Sequence, residues 1–431
     1  MHHLPDEVPV TGTDWFLHAF DQGMRQRGDQ GNVCHLVLRL GQPLDPDTLD
    51  VAVASAPWLH WLASLRLQTS WWRRPVWKRA ADAPPVRVHR HTAPSIDALQ
   101  QLVPTAPRDI RHDPPLWLQH VRAPDGDALV LTFHHAAMDA RGAELALRRL
   151  GGSLHEPASH EVVLLTPEDA RGGWGRLMSA KLARDSVLRF SLGPLRYPSP
   201  PRLAHPAALH YRRLQLDEAD TLRAGQQALA HGAALGAAPF HLAVVARALN
   251  EVVGHRLRPG GDFLVPMPLD RRRRNADGPL LGNQVSLLFY RLEVDQLADP
   301  PAVVRSVVEQ MRDHVRARLP EAFETLLGMC RSLPASLLRA IVSLPTLGRM
   351  ASFGFSDTGL TLGQLDTFLG LPVTDAWHLP GNLHPPGITV ICSRHGGRLS
   401  FCTAWLQGAL SEDEVDRFER RLRALLTERA P

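Results

Sequence analysis

His134 and His135, followed at a three-residue gap by Asp139, form the cluster in this chain whose residue types and spacing point to chemistry: Phe133-His134-His135-Ala136-Ala137-Met138-Asp139. An unperturbed imidazole titrates around ~6.5, so one held at a strand end and steadied by a carboxylate suits a general base. The alternating run Leu129 to Phe133 predicts a strand leading into the cluster, and Ala143 to Leu150 predicts a helix leaving it, with a tight loop between. Successive strand residues project to opposite faces, so one histidine acts and the other braces unless the strand ends between them. This reading makes His135 the base and His134 the brace, with Asp139 holding the loop or pairing with an arginine. Two other readings of the same residues stay open. One is a pair of hydrogen-bonded histidines beside a helix-capping Asp139; the other is zinc, although the spacing lacks the i, i+4 histidine pair of one helical face.

The elements that must position the cluster belong to a chain of 431 residues, more than the ~100 to 200 of one ordinary domain, which predicts two domains or lobes. An apolar fraction of 44% is ordinary for a folded protein and argues against a disordered chain. Formal charge is +4, and Lys78 and Lys181 are the only lysines. Arginine forks suit phosphate and carboxylate groups, but no basic stripe interleaved with aromatics appears, which argues against nucleic-acid binding. No apolar run approaches ~18 residues, so no transmembrane segment is expected. The opening Met1-His2-His3-Leu4-Pro5-Asp6 is polar and lacks the apolar region of a secretory signal, which predicts a cytoplasmic protein. Cys34, Cys330, Cys392 and Cys402 show neither CxxC nor zinc spacing and read as reduced core thiols.

Three segments are expected: 1–165 carrying the histidine cluster, a linker or crossover at 166–207 with closely spaced prolines, and 208–431. In the first, a helix is expected around Asp14 to Phe20, a strand at Val33 to Leu40 and a helix starting at Pro46, and the aromatic, basic run Trp71 to Trp77 reads as a packed strand or, alternatively, as a ligand-stacking face. In the third, strands are expected at Tyr211 to Leu216, Phe263 to Leu269 and Gly282 to Tyr290, and helices at 218–231, 239–253, 301–317, 321–344 and 412–428. A glycine-containing loop is expected at 352–359, a hairpin across 388–406, and burial for the apolar stretch Leu337 to Leu344. The run Arg271 to Arg274 reads either as a solvated loop or as a site that attracts phosphate.

HHxxxD after a strand is joined in the second half by Pro266-Met267-Pro268-Leu269-Asp270-Arg271-Arg272 and then Gly282-Asn283-Gln284-Val285-Ser286. Together these segments resemble the superfamily of chloramphenicol acetyltransferase, nonribosomal peptide condensation domains, polyketide-associated acyltransferases and wax ester synthase/diacylglycerol acyltransferases. The last three branches, stand-alone condensation domains included, are nearest. The resemblance spans nearly the whole chain at low overall similarity. It implies an α/β fold of two chloramphenicol acetyltransferase-like lobes, each a mixed sheet packed with helices, with an active-site channel between them.

The resemblance also implies an acyltransferase. A thioester donor, acyl-CoA or an acyl carrier protein with its phosphopantetheine arm, would enter one side of the channel and an alcohol or amine acceptor the other, with no bound cofactor and no metal. The product would be an ester or amide of lipid or secondary-metabolite biosynthesis. It selects His135 as the catalytic histidine and carries Asp139 over as a structural partner of an arginine, for which Arg271 and Arg272 are the candidates; His134 supports. Asn283, Gln284 and Ser286 are expected near the channel, with Asn283, Ser286, Arg271 and Arg272 as substrate-binding candidates. The alternative is a catalytically inactive homologue that binds a carrier protein or acyl chain. The sequence departs from the pattern where Ala140 replaces the glycine usual after the aspartate, which would be strained if the backbone there needed positive φ. It also lacks the DFGWG element, in whose place Ser352 to Gly359 looks more like the serine-containing loop of the wax ester synthase branch.

Overall fold

Two apolar clusters organise the chain, one drawing mainly on residues before 165 and the other mainly on residues after 207, so two lobes form as the length predicts. The structure, a computed structural model, describes residues 4–70, 73–98, 107–154, 159–163, 173–234, 236–257, 260–273, 276–363 and 365–428. Met1 to His3, Trp71, Trp72, 166–172 of the expected linker and Arg274 lie outside the described residues.

In the first part of the chain the elements are β1 (Glu7–Pro9), α1 (Gly12–Arg25), β2 (Val33–Leu40), α2 (Pro46–Ala54), α3 (Pro57–Ser64), β3 (Leu65–Gln68), β4 (Val76–Arg79), β5 (Val88–Thr92), β6 (Leu116–Ala123), β7 (Gly126–His134), α4 (Ala140–Leu150), α5 (Ser159–Val162) and α6 (Gly173–Ser191). The rest holds β8 (Leu209–Gln215), α7 (Glu218–Ala230), α8 (Ala238–Val253), β9 (Phe263–Asp270), β10 (Val285–Leu292), α9 (Pro300–Arg316), α10 (Leu319–Cys330), α11 (Ala335–Ser343), β11 (Gly354–Leu360), β12 (Thr367–Phe368), β13 (Leu371–Leu379), β14 (Ile388–His395), β15 (Arg398–Leu406) and α12 (Glu412–Thr427).

A six-stranded sheet, in the order β12-β13-β2-β7-β6-β5, forms the heart of the first lobe. Its strands obey the two-residue period: Leu129, Leu131 and Phe133 of β7 enter one core, while Ala128 and Val130 enter the other. The sheet is therefore covered on both faces, which is why β2 and β7 are apolar almost throughout. The second lobe carries a four-stranded sheet, β11-β14-β15-β8, and the ribbon β10-β9. A three-stranded sheet, β1-β4-β3, holds buried Trp77; of the aromatic strand expected at Trp71 to Trp77 only Val76 and Trp77 lie in β4, since Arg73 to Pro75 precede the strand and Trp71 and Trp72 are outside the described residues.

The lobes are not sequential blocks. β13, from within 208–431, pairs antiparallel with β2 and places Ala376 opposite Leu38. Asp375 on β13 accepts hydrogen bonds from Arg213 Nη2 at 2.8 Å and Gln215 Nε2 at 2.9 Å, both on β8 of the other sheet. The Arg213 guanidinium also lies 4.0 Å over the Trp377 ring.

Three expectations are corrected. The helix over 321–344 is two helices, α10 and α11, because Pro334 cannot continue an α-helical hydrogen-bond ladder and restricts Leu333 before it. The loop at 352–359 is largely β11, whose backbone pairs in parallel with β14 from Gly354 opposite Thr389 onward. Burial of Leu337 to Leu344 holds for Leu338 but fails for Leu337, Ile341 and Leu344, because α11 packs on α1 along one side only.

Candidate active site

β7 ends at His134, whose amide still donates to Pro115 O at 2.7 Å; the next amide, of His135, donates to Asn32 O at 2.9 Å. The loop Ala136 to Met138 then runs beside the segment leading into β10. Gly282 N donates to Ala137 O at 2.7 Å, and Met138 and Gly282 form an isolated parallel bridge. Gly142 permits the close approach of α4: a Cβ there would sit 2.8 Å from Leu280 O. The histidine loop of one lobe is thus stitched to a strand entry of the other.

The two histidines are used differently. His134 is fully buried, its Nδ1 accepts the Ala136 amide at 3.1 Å, and its Nε2 lies 3.1 Å from Asp21 Oδ1. A ring whose Nδ1 accepts must carry its proton on Nε2, facing the carboxylate. Burial opposes charge on Asp21, but His134 and Arg25 outweigh it and hold that carboxyl well below the usual range. Asp21 Oδ1 also accepts the Asn32 amide at 2.8 Å, so one carboxylate positions both the brace and the residue that follows the ladder.

His135 instead lines a cavity of about 260 Å³ between the lobes. Its Nδ1 is buried, so Nε2 is the nitrogen left to meet a ligand. Burial pushes the imidazole below its ordinary value, against the opposing pull of its own carbonyl, the Asp139 charge and the Met138 carbonyl. The ring is therefore neutral at neutral pH and able to accept a proton.

Asp139 caps α4, accepting Gly142 N at 2.8 Å through Oδ1. Its Oδ2 accepts from Arg272 Nη1 at 2.9 Å and from Gln284 N at 2.8 Å, both on the second lobe. Burial would raise the Asp139 carboxyl, but Arg272 and the donated hydrogen bonds lower it. Of the two candidate arginines, Arg272 is the one that meets Asp139; Arg271 reaches Glu324 at 2.7 Å. Ala140 opens α4 with no positive φ, so the alanine after the motif is unstrained, and it lines the cavity.

The remaining candidates sit behind the cavity wall. Asn283 Nδ2 donates to His135 O and to Asp14 Oδ1, each at 2.8 Å, and Asp14 Oδ1 also accepts the Asn283 amide. Ser286 Oγ donates to Pro320 O at 3.1 Å. None of Asn283, Ser286, Arg271 and Arg272 lines the cavity, and Gln284 contributes its amide to Asp139. β10 presents Val285, Leu287 and Phe289 to the cavity instead, because residues two apart share a face.

Most of the lining is apolar, with Phe16, Leu17, Leu287, Phe289, Met350 and Phe355 among it. A polar wall carries Glu144, which accepts from His378 Nε2 at 2.9 Å and Arg141 Nη1 at 2.5 Å. Asp357 also lines the cavity and accepts from His241 Nδ1 at 2.8 Å; Cys392 Sγ lies 3.4 Å from the same nitrogen. The zinc reading of the HHxxxD histidines gains nothing from this geometry, since the His134 ring is taken by Asp21 and the Ala136 amide.

Sequence reasoning missed Asp14, Asp21 and Asn32. A signal for two of them was present: Asp14, His18, Asp21 and Arg25 recur at steps of four, three and four along α1, a polar stripe on one helical face. Asn32 has no such pattern. It is 1% exposed, its Nδ2 has no hydrogen-bond partner, and it lines the same cavity as His135.

No protein-family model and no curated protein matches the sequence. Solved structures do. The first condensation domain of the calcium-dependent antibiotic synthetase, in complex with a substrate analogue, superposes with a TM-score of 0.70 at 17% identity, over 98% of this chain and 96% of that one. The trichothecene 15-O-acetyltransferase of Fusarium sporotrichioides gives 0.70 at 11% identity over the same shares. The fold is that of condensation domains and chloramphenicol acetyltransferase-like acyltransferases. A variant starter condensation domain of rhizomide synthetase, in complex with C8-CoA and Leu-SNAC, gives 0.65 at 14% identity, over 98% of this chain and 95% of that one. The chain is accordingly built as two lobes around the cavity that holds His135. No described helix is long and apolar enough to cross a membrane.

Two outcomes follow for this site. Activity that needs neutral His135 falls as pH drops through its folded value, so the acid limb of a rate profile is expected below the ordinary ~6.5 of a free imidazole; a limb at or above that value contradicts the burial argument. Replacing Arg272 by alanine leaves Asp139 buried without its cation and is expected to cost about 3–5 kcal/mol of unfolding free energy, read from urea denaturation.

Proposed function

We propose that the condensation-like chain is an acyltransferase that moves an acyl group from a thioester to a hydroxyl or amine by general-base catalysis. The observation that carries this reading is the placement of His135: its imidazole lines an apolar interlobe cavity, its pKa is depressed, and its backbone is held at both ends by Asn32 and Asn283. A neutral imidazole in such a place can take the proton of the acceptor as its oxygen or nitrogen attacks the thioester carbonyl. When the tetrahedral adduct collapses, the carbon–sulfur bond breaks and the proton passes to the departing thiolate, leaving an ester or amide and a free thiol. No covalent acyl-enzyme is required.

The adduct's oxyanion needs a fixed donor. Asn32 is the candidate for one: the residue lines the cavity beside His135, and its Nδ2 has no hydrogen-bond partner. The donor is read as an acyl-CoA or an acyl group on a carrier protein, both of which present a phosphopantetheine thioester. The likeness to a starter condensation domain bound to C8-CoA supports the first, and the likeness to a synthetase condensation domain supports the second. Product release into lipid or secondary-metabolite biosynthesis fits either.

Mass spectrometry with a panel of acyl-CoAs and acylated carrier proteins tests the donor. His135→Ala is expected to lower turnover by roughly 10²–10⁴-fold with unchanged circular dichroism; full activity in that variant removes the general base and favours a binding role. Asn32→Ala is expected to lower kcat by roughly 10²–10³-fold with little change in KM, and an unchanged kcat excludes it as oxyanion donor.

A further inference from the structure

Large apolar side chains stand in solvent along α6: Trp174, Leu177, Met178, Leu182 and Leu188, with Leu192 one residue past its end. Trp174 is 76% exposed and Leu192 67%. At about 100° per residue these six positions fall on one side of the helix. The opposite side carries Ser179, Ala180, Ala183, Ser186 and Phe190, which are buried, and the helix packs on α10. A helix facing water normally shows the reverse arrangement, with its large apolar residues turned inward. Here small residues let α6 lie close to the body of the molecule, and the large ones form a contiguous outer stripe of the kind that marks an interaction surface.

Lys181, Asp185 and Arg189 interrupt the stripe, and Arg184 borders it, bonding Asp185 Oδ1 at 2.7 Å. Lys181 and Asp185 sit on it one turn apart, Nζ to Oδ2 at 2.7 Å. Reversing the helix about the level of Ala183 exchanges Lys181 with Asp185, Met178 with Leu188 and Trp174 with Leu192. The centre and the ends of the stripe are thus antiparallel complements, while Leu177 and Leu182 fall opposite Arg189 and Arg184, whose stems can cover them. We propose that this face is the interface of a two-fold dimer, with α6 of one copy antiparallel to α6 of the other.

In that arrangement each Lys181 meets Asp185 of the second copy, and the two ion pairs flank the two-fold axis. The apolar residues toward both ends of each helix then close over one another, as an isologous contact requires. The turn Leu344 to Thr346 packs beside α6 and continues the apolar surface through Leu344 and then Leu347, which is 90% exposed. A lipid surface would favour basic residues bordering an apolar face. Arg184 and Arg189 supply such residues, but the acid Asp185 near the centre of the stripe, matched by Lys181 at the two-fold-related position, fits a second copy better.

Sedimentation of the full chain over a range of concentrations tests this. The expected result is a reversible dimer of twice the 47.7 kDa chain mass. Lys181→Asp alone places like charges across the axis, and so does Asp185→Lys alone; each is expected to weaken the dimer by roughly tenfold or more. The two changes combined restore the complement and are expected to recover most of the association. Met178→Glu with Leu188→Glu is expected to give a folded monomer by circular dichroism. A wild-type monomer at every concentration overturns the proposal. So does a dimer insensitive to the single charge changes, or a monomer that binds phosphatidylglycerol vesicles through this face.

Discussion

One buried carboxylate, that of Asp139, decides whether the two lobes and the histidine loop share a single geometry. It accepts three hydrogen bonds: from the amide of Gly142 in its own lobe, and from the Arg272 guanidinium and the Gln284 amide in the other. A carboxylate so enclosed is stable as an anion only while all these donors are present, because desolvation alone would raise its pKa. The charge therefore enforces the docking of β7 and α4 on the segment that precedes β10. His135 lies in the loop between those elements, and its position follows from that docking.

A second carboxylate completes the placement from the opposite side. Asp21 of α1 engages His134 and the Asn32 amide, and Asn32 O receives the His135 amide. The adjacent histidines thus divide their work through the end of the strand ladder: one imidazole is spent inside the protein, and the other is left facing the cavity. Asn283 closes the arrangement by binding His135 O and Asp14 with the same amide nitrogen. Residues that a motif comparison places near the reacting groups act here one layer behind them, through the backbone of His135 and through Asp139.

The parts of this arrangement legible in the sequence are those with a local cause. β2 and α2 follow from an apolar run and from a proline at a helix start, and the strand–loop–helix around HHxxxD follows from periodicity. The pairing of Asp139 with an arginine near residue 271 was legible only by resemblance, since 133 residues separate Asp139 from Arg272. Long-range pairings without local signature were not legible. The insertion of β13 beside β2 joins positions more than 300 residues apart, and nothing in Leu371 to Leu379 announces its neighbour. β11 was hidden by its glycines, because Gly354 and Gly359 read as loop residues although the first lies against Thr389 within a parallel pair. Asn32 was hidden because a lone asparagine beside a glycine is ordinary turn chemistry, and its unpartnered amide is visible only in three dimensions.

Ala140 shows how a departure from a motif can alter a cavity wall without altering the scaffold behind it. An alanine at a position usually held by glycine would be costly if the backbone adopted positive φ, but here it occupies the first turn of α4 in ordinary helical geometry. Its methyl group is added to the wall of the cavity that His135 also lines. The change therefore acts on space near His135, and not on the position of that residue, which is set by Asp139, Asn32 and Asn283. Packed apolar walls tolerate added volume poorly, so a single methyl there changes the shape of the space beside His135. The shape of the cavity is accordingly set by residues such as Ala140, Leu287, Phe289 and Met350, while Asp139 and His134 fix where His135 meets it.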